Sequence, residues 1–438
     1  MPTMTSRRDL LAGFVAASAG PWRSLLQAGS RAQLRVNGAR VNRHLAELSA
    51  FGRGPGGTSR VAYSDADLAG RRYAMDLLRA AGLTPRIDAA GNILARREGR
   101  EPSRPPILIG SHIDSVNNGG NYDGDVGSMG AIEVAQTIVE SGTMLRHPLE
   151  VVIFQNEEGG TVGSRMLVEA PTDDILDRTA RSGIRIRDGI PRIGGDLSRL
   201  AGARKARGDY LCFLELHIEQ GGILDAEEIQ IGVVEGIVGI RWFEVTFTGF
   251  ANHAGTTPMN QRKDAMLAAA RFTVAVNEAI RAVPGRQVAT VGRLVAVPGT
   301  VNVIPGEVTL TVDLRDLASE TLTTFPRRFE ELGNRIASET GTTFAMRVMS
   351  TNEPAPTDPR LRRLIEESAK GLGLSTRSMP SGAGHDAQEI ARIAPIGMIF
   401  VPSVGGVSHS PNELTRPADI ANGANVLLHT VLAVDRWE

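Results

Sequence analysis

Five of the eight histidines stand in polar, glycine-rich or strand-end settings. They are His112 in GSHIDS, His217 in LELHIEQGG, His253 in FANHAGTT, His385 in GAGHDAQ and His409 in GVSHSPNE. One such histidine is usually a satisfied structural residue, so the argument rests on the set. His44, His147 and His429 lack these surroundings and are read as structural. Carboxylates crowd the same stretches. His112 and Asp114 are two apart, so on an extended strand they face the same way. A carboxylate beside a metal-binding imidazole fixes its tautomer and raises its basicity. Asp123 and Asp125 follow on a loop that Gly119, Gly120 and Gly124 let fold back tightly. Glu157 and Glu158 are adjacent in NEEGG and raise each other's pKa unless a cation lies between them. A solvated strand end is the bland alternative for that pair, and the buried character of VVIF before it argues against this.

The only cysteine is Cys212, which excludes a disulfide framework and a cysteine-rich metal site. His, Asp and Glu without cysteine is the ligand set of a catalytic zinc or manganese site. Several such ligands can hold two metals through a shared carboxylate and leave a spare glutamate as general base. The glycine-rich loop after PILIG thus reads as a metal cradle.

The elements that must carry these residues follow from periodicity. VNRHLAELSAFG has helical spacing, and SDADLAGRRYAMDLLRAAGL is a second helix with Ser64 as N-cap and Gly82 as stop. TPRIDAAGNILARREG reads as a hairpin turning at Ala90-Gly91-Asn92. PPILIGSH and LEVVIFQNEEGG are buried strands around the helix VGSMGAIEVAQTIVESG. Strands alternating with helices predict an α/β sheet with helices on both faces, and ligand sites in such folds lie where strands end. From Gly232 the pattern changes to strand, helix, two strands, helix and strand, an α+β unit of modal domain size. After it the α/β pattern returns. The expected organisation is therefore a catalytic domain in two parts, residues 34–231 and 351–438, with residues 232–350 inserted.

Residues 1–33 predict a signal and linker. Arg7 and Arg8, a short apolar run and Ala17-Ser18-Ala19 match a twin-arginine type of export signal, although Ala12 stands where a basic residue is usual. A frayed N-terminal helix is the alternative. The signal implies the export machinery as a partner and a periplasmic or secreted location; without it the location is cytoplasmic. No stretch is long and apolar enough to span a bilayer, so no stable membrane anchor is expected. A formal net charge of −1 speaks against a nucleic-acid partner.

GSHIDSVNNGGNYDG, NEEGG, ELHIEQG, NHAGTTPM, GAGHDA and SHSPNE occur in that order, with GGTSRVAYSDAD and DAAGNI before them. Together they resemble the dinuclear metal amidohydrolases: N-carbamoyl-L-amino-acid hydrolases, allantoate amidohydrolases and β-ureidopropionases. These belong to the superfamily of the aminoacylases and zinc carboxypeptidases. The resemblance runs from about Val41 to the C-terminus. It implies that His112, Asp123 and His217 hold one metal and that Asp123, Glu158 and His409 hold the other, with Asp123 bridging. The ions would be zinc or manganese, with cobalt and nickel also fitting. It further implies Glu157 as general base, Asp114 orienting His112, and His253 polarising the scissile carbonyl. Asn302 and Arg315 would bind the substrate carboxylate, and Gln220 and His385 would line the pocket. From the residues alone, an ion pair of Arg315 with Asp313 or Asp316 is an open alternative. The inserted unit would be a lid that closes over the substrate and makes a homodimer.

The resemblance thus implies hydrolysis of a linear amide C–N bond in a small carboxylate-bearing substrate. That bond would be the ureido group of an N-carbamoyl-L-amino acid or of allantoate. Relatives have a histidine at the His217 position where the related peptidases carry an acidic ligand. An aminoacylase or small peptidase, acting on an N-acyl substrate with the same centre, is the alternative. A periplasmic binding protein with a decayed centre is a third reading, against which all five ligands and Glu157 are present. One departure bears on the substrate: Gly159 to Arg165 is shorter than the segment usual in relatives, which have an arginine-phenylalanine pair there.

Overall fold

The computed structural model describes residues 33–437. The expected export signal lies outside the described residues. Counting in chain order, β1 is Thr84–Ile87, β2 Ile93–Arg97, β3 Ile107–His112, β4 Leu149–Phe154, β5 Cys212–Ile218 and β6 Ile231–Ile237. Next come β7 Gly239–Thr248, β8 Val288–Val297, β9 Glu307–Asp316 and β10 Thr343–Asn352. The last three are β11 Ala355–Pro356, β12 Thr376–Ser381 and β13 Ile396–Val401.

The larger sheet has the order β11-β6-β13-β5-β3-β4-β2-β1, with β12 also joined to β6 in parallel. At its centre β13, β5, β3 and β4 run parallel. All four are buried along their whole length, as strands covered on both faces must be. On one face Leu108, Val152, Phe154 and Phe213 join a core with Leu167, Ala387 and Ile390. On the other lie the helices Asp125–Glu140 and Pro417–Val434, whose Gly127 and Gly423 approach Leu216 too closely for a side chain. The hairpin expected at Thr84–Arg97 forms as antiparallel β1 and β2. The helix Asp65–Ala80 is capped by Ser64, whose hydroxyl accepts the Asp67 N–H, and Gly82 ends it at φ +80°.

A second sheet, in the order β8-β9-β7-β10, is antiparallel throughout. It packs Phe243, Val245, Phe247, Leu310 and Leu314 against the helices Ala265–Arg281 and Ser319–Thr340, in a core of its own. The chain enters it through Val238 and leaves it between Asn352 and Ala355. The sequence expectation put the change at Gly232, but Ile231–Ile237 pairs with β13 and β12 in the larger sheet. An apolar strand reads alike whichever sheet it joins, and only its pairing separates the two. The mixed α/β architecture with a separate second sheet is the expected fold class. Among the described residues no helix is long and apolar enough to cross a membrane.

Candidate metal centre

The chemistry-bearing residues meet at the carboxyl ends of the four central parallel strands, where α/β folds place their ligands. His112 is the last residue of β3, and His217 lies in β5 one residue before its end. Glu157 and Glu158 follow β4 after a short turn, and His409 lies on the loop after β13. Asp123 closes the glycine-rich loop at the start of the helix Asp125–Glu140. That loop is pinned to Thr58 by a reciprocal pair of main-chain hydrogen bonds with Gly119. Gly124 has φ +67°, and a Cβ there would stand 2.3 Å from the His112 ring, so the position requires glycine.

Asp123 is the hub. Its Oδ1 lies 3.2 Å from His217 Nε2 and 3.8 Å from His112 Nε2. Its Oδ2 lies 3.0 Å from His409 Nε2, which is 3.5 Å from Glu158 Oε1. The ligand atoms of His112, Asp123 and His217 lie within 4.8 Å of one another, as do those of Asp123, Glu158 and His409. One carboxylate therefore turns an oxygen to each set, the arrangement of a bridging ligand. A third group, Glu215, His217 and His385, is equally close, but its carboxylate is already satisfied. Glu215 accepts the Ser111 hydroxyl and the Ala387 N–H, and His385 Nε2 is bonded to the Ser381 hydroxyl.

The electrostatics are those of an anionic pocket that a cation would relieve. Burial opposes ionisation of Asp123, but hydrogen bonds from His217 and His409 outweigh it and hold the carboxyl well below its usual range. Burial, then the Asp123 charge, pushes Glu158 up to about 8. Burial, then Asp386 and Glu158, drives Glu157 well above the ordinary glutamate value. Burial lowers His112 to about 4 and favours its neutral, ligating form. Histidines and carboxylates with no sulfur donor fit zinc or manganese.

Neighbouring groups hold these side chains in place. Asp114 accepts the N–H groups of Glu157 and Glu158 at 3.1 and 3.2 Å. His112 Nδ1 meets the Asp114 main-chain oxygen at 3.0 Å, with the carboxylate farther off at 3.8 Å. Asp114 thus steadies both the glutamate turn and the imidazole. Glu413, which sequence reasoning did not single out, accepts the N–H groups of Tyr122 and Asp123 with one oxygen. Its other oxygen accepts the Ser408 hydroxyl and the His409 N–H, tying together the two loops that carry ligands. Asp386, also missed, accepts the Ser164 hydroxyl and stands near Glu157. The only sequence signal for either was its place inside a quoted motif. Asn156, Thr161, Gln220 and His409 all have positive φ, four of the seven such non-glycine residues described. Strain of this kind gathers where function holds the backbone against its preference.

A cavity of about 320 Å³ opens beside the centre, between the two sheets. Asp123, Glu157, Glu158, His217, Gln220, His385 and His409 line one side, and Ile240, Trp242, Arg315 and Asn352 the other. Gln220 donates to Asp123 Oδ2 at 2.7 Å, and His385 stacks edge-on against His217. Arg315 reaches the cavity and also forms the ion pair with Asp313 that the sequence left open, while donating to the Gly382 carbonyl.

His253 and Asn302 stand apart from the other expected site residues, and this chain does not bring them to its own cavity. They are neighbours, Ala254 donating to the Asn302 carbonyl, and both are exposed beyond the far end of β7. Eight residue-to-residue steps of strand lead from Ile240, in the cavity wall, to Thr248 at that end, a span of roughly 27 Å. A rigid swing about the junction would preserve that distance.

The model of the peptidase family M20/M25/M40 matches residues 108–433. An N-carbamoyl-L-amino-acid amidohydrolase of Paenarthrobacter aurescens is 38% identical over 408 residues, 92% of this chain and 99% of that protein. An allantoate amidohydrolase of Escherichia coli is 36% identical over 388 residues, 87% of this chain and 94% of that protein. A crystal structure of an amidase of the hydantoinase/carbamoylase family from Burkholderia multivorans superposes with a TM-score of 0.85 at 38% identity. That match covers 92% of this chain and 98% of the other.

Proposed function

We propose that this chain, which belongs to the peptidase family M20/M25/M40, hydrolyses the ureido C–N bond of an N-carbamoyl-L-amino acid or a related ureido compound such as allantoate. The coarser activity, hydrolysis of a non-peptide amide C–N bond, is the one shared by the named relatives. The observation that carries the reading is Asp123 facing two ligand sets, with Glu157 beside them at the cavity wall.

Divalent cations held by His112, Asp123 and His217 and by Asp123, Glu158 and His409 would supply the Lewis acid that polarises the carbonyl and acidifies water. Glu157, with Oε2 3.8 Å from His112 Nε2, is placed to take the proton of the attacking water. As the C–N bond breaks, it returns that proton to the leaving nitrogen. The products are the amine and a carbamate, which decomposes to ammonia and carbon dioxide. Arg315 is held by Asp313 and Gly382 through one N–H on each nitrogen. Its two terminal nitrogens keep one N–H each for a substrate carboxylate.

His253 Nδ1 accepts the N–H groups of Gly255 and Thr256. Its proton therefore resides on Nε2, which can donate to a developing oxyanion. The reading gives this donor to a second copy of the chain, in a homodimer formed through the second sheet. Export through the twin-arginine route remains part of the proposal, tested by the N-terminal sequence of the protein recovered from each cell fraction.

The test is ammonia release by the metal-loaded protein from N-carbamoyl-L-amino acids, N-carbamoyl-β-alanine and allantoate, with N-acetyl amino acids alongside. Chelator-sensitive ammonia from a ureido compound is the expected result. Release of acetate alone would replace this reading with that of an aminoacylase.

A further inference from the structure

Along strand β7 the outward face of the second sheet changes character where it covers the metal centre. Along β7 the alternate residues Phe243, Val245 and Phe247 point into that sheet's own core. The other set points outward: Ile240, Trp242, Glu244, Thr246 and Thr248. The three of these beyond the cavity are polar, as an uncovered face should be. The two over the cavity are isoleucine and tryptophan. On the neighbouring strand β9 the same face is polar throughout, with Arg315 directly opposite Ile240 and Asp313 opposite Trp242. Trp242 is 43% exposed, although the rest of its sheet has a well-filled core. A large aromatic surface left open on a cavity wall gains by being covered.

The position of that surface defines what covers it. Resting on the reading above, the substrate's ureido carbonyl lies at the His and carboxylate centre, and its carboxylate lies at Arg315. The carbon between them bears one more substituent. Side chains opposite one another on paired strands stand about 5 Å apart, so a group next to the carboxylate of a substrate held by Arg315 meets Ile240 and then Trp242.

We propose that Trp242 and Ile240 form the side-chain subsite of this enzyme. The subsite selects N-carbamoyl α-amino acids with an aromatic or long aliphatic side chain. It disfavours substrates whose third substituent is hydrogen or polar, including N-carbamoylglycine and allantoate, whose second ureido group would lose water against the indole without gaining a partner.

The experiment compares kcat/KM for N-carbamoyl-L-phenylalanine, N-carbamoylglycine and allantoate in the metal-loaded wild-type protein and in Trp242→Ala and Trp242→Phe. Wild type should prefer the phenylalanine derivative to the glycine derivative by about 10- to 100-fold, the range expected for burying a side chain of that size. Trp242→Ala should collapse that ratio, and Trp242→Phe should restore most of it. A wild-type preference for allantoate or the glycine derivative would overturn the subsite, as would an equal loss on all substrates in Trp242→Ala. Absence of ammonia from every ureido compound is a different failure. It would remove the ureido-hydrolase reading itself, and the subsite with it.

Discussion

Asp123 is the residue on which the two ligand sets depend. Because its two oxygens face different histidines, Asp123→Ala should cost the protein both metal ions, whereas His409→Ala should spare the ion held by His112 and His217. Elemental analysis of the purified variants checks this, and a full complement of metal in Asp123→Ala would contradict the bridging role. Glu157 belongs to neither set. Glu157→Gln should therefore keep its metal and lose turnover by about 10²- to 10⁴-fold. Retained activity in that variant would move the proton transfer to another group. Glu413 and Asp386 show what residue-level reading misses. An acidic side chain serving as acceptor for the main-chain N–H groups of a neighbouring loop has no spacing rule, since its partners are set by where two distant loops meet.

At the scale of elements, the second sheet's helix Ala265–Arg281 starts at Asp264, whose carboxylate accepts the N–H groups of Met266 and Leu267. Asp264→Ala should lower stability by about 1 kcal/mol, read as a shift in denaturation midpoint with metal content unchanged. Strand β5 supplies a second test. Cys212 is fully buried at its start, and burial pushes the thiol well above its usual range. The native protein should leave a thiol reagent at pH 8 unreacted, and denaturant should expose one thiol per chain; rapid native labelling would mean that β5 opens. The junction between the sheets is stapled by Gln388, whose amide donates to the carbonyls of Glu353, at 2.7 Å, and Val238. Its neighbours in sequence, His385 and Asp386, pack at the metal centre, so the junction and the centre share one short helix.

At the scale of the whole molecule, His253 lies too far along the second sheet to serve the cavity of its own chain. If a second copy supplies it, His253→Ala and Glu157→Gln damage different halves of a composite site. Each variant alone should be nearly inactive, and mixing the two under conditions that exchange subunits should recover part of the activity. No recovery, with exchange shown by mass, would remove His253 from the reaction.

The sequence by itself determined the ligand types, the glycine loop and the order of strands and helices, because these rest on local rules: donor chemistry, backbone freedom and periodicity. For that reason His112, His217 and His409 were legible as candidates together with Asp123, Glu157 and Glu158, while their division into two ligand sets came from the resemblance to the dinuclear amidohydrolases. Tertiary structure alone decided that strand Ile231–Ile237 belongs to the larger sheet, that Glu413 ties the Asp123 and His409 loops, that Trp242 opens onto the cavity, and that His253 and Asn302 stand apart from it. Each of these depends on which distant segments pack together, and strand pairing and loop contacts across hundreds of residues leave no periodic mark in the chain.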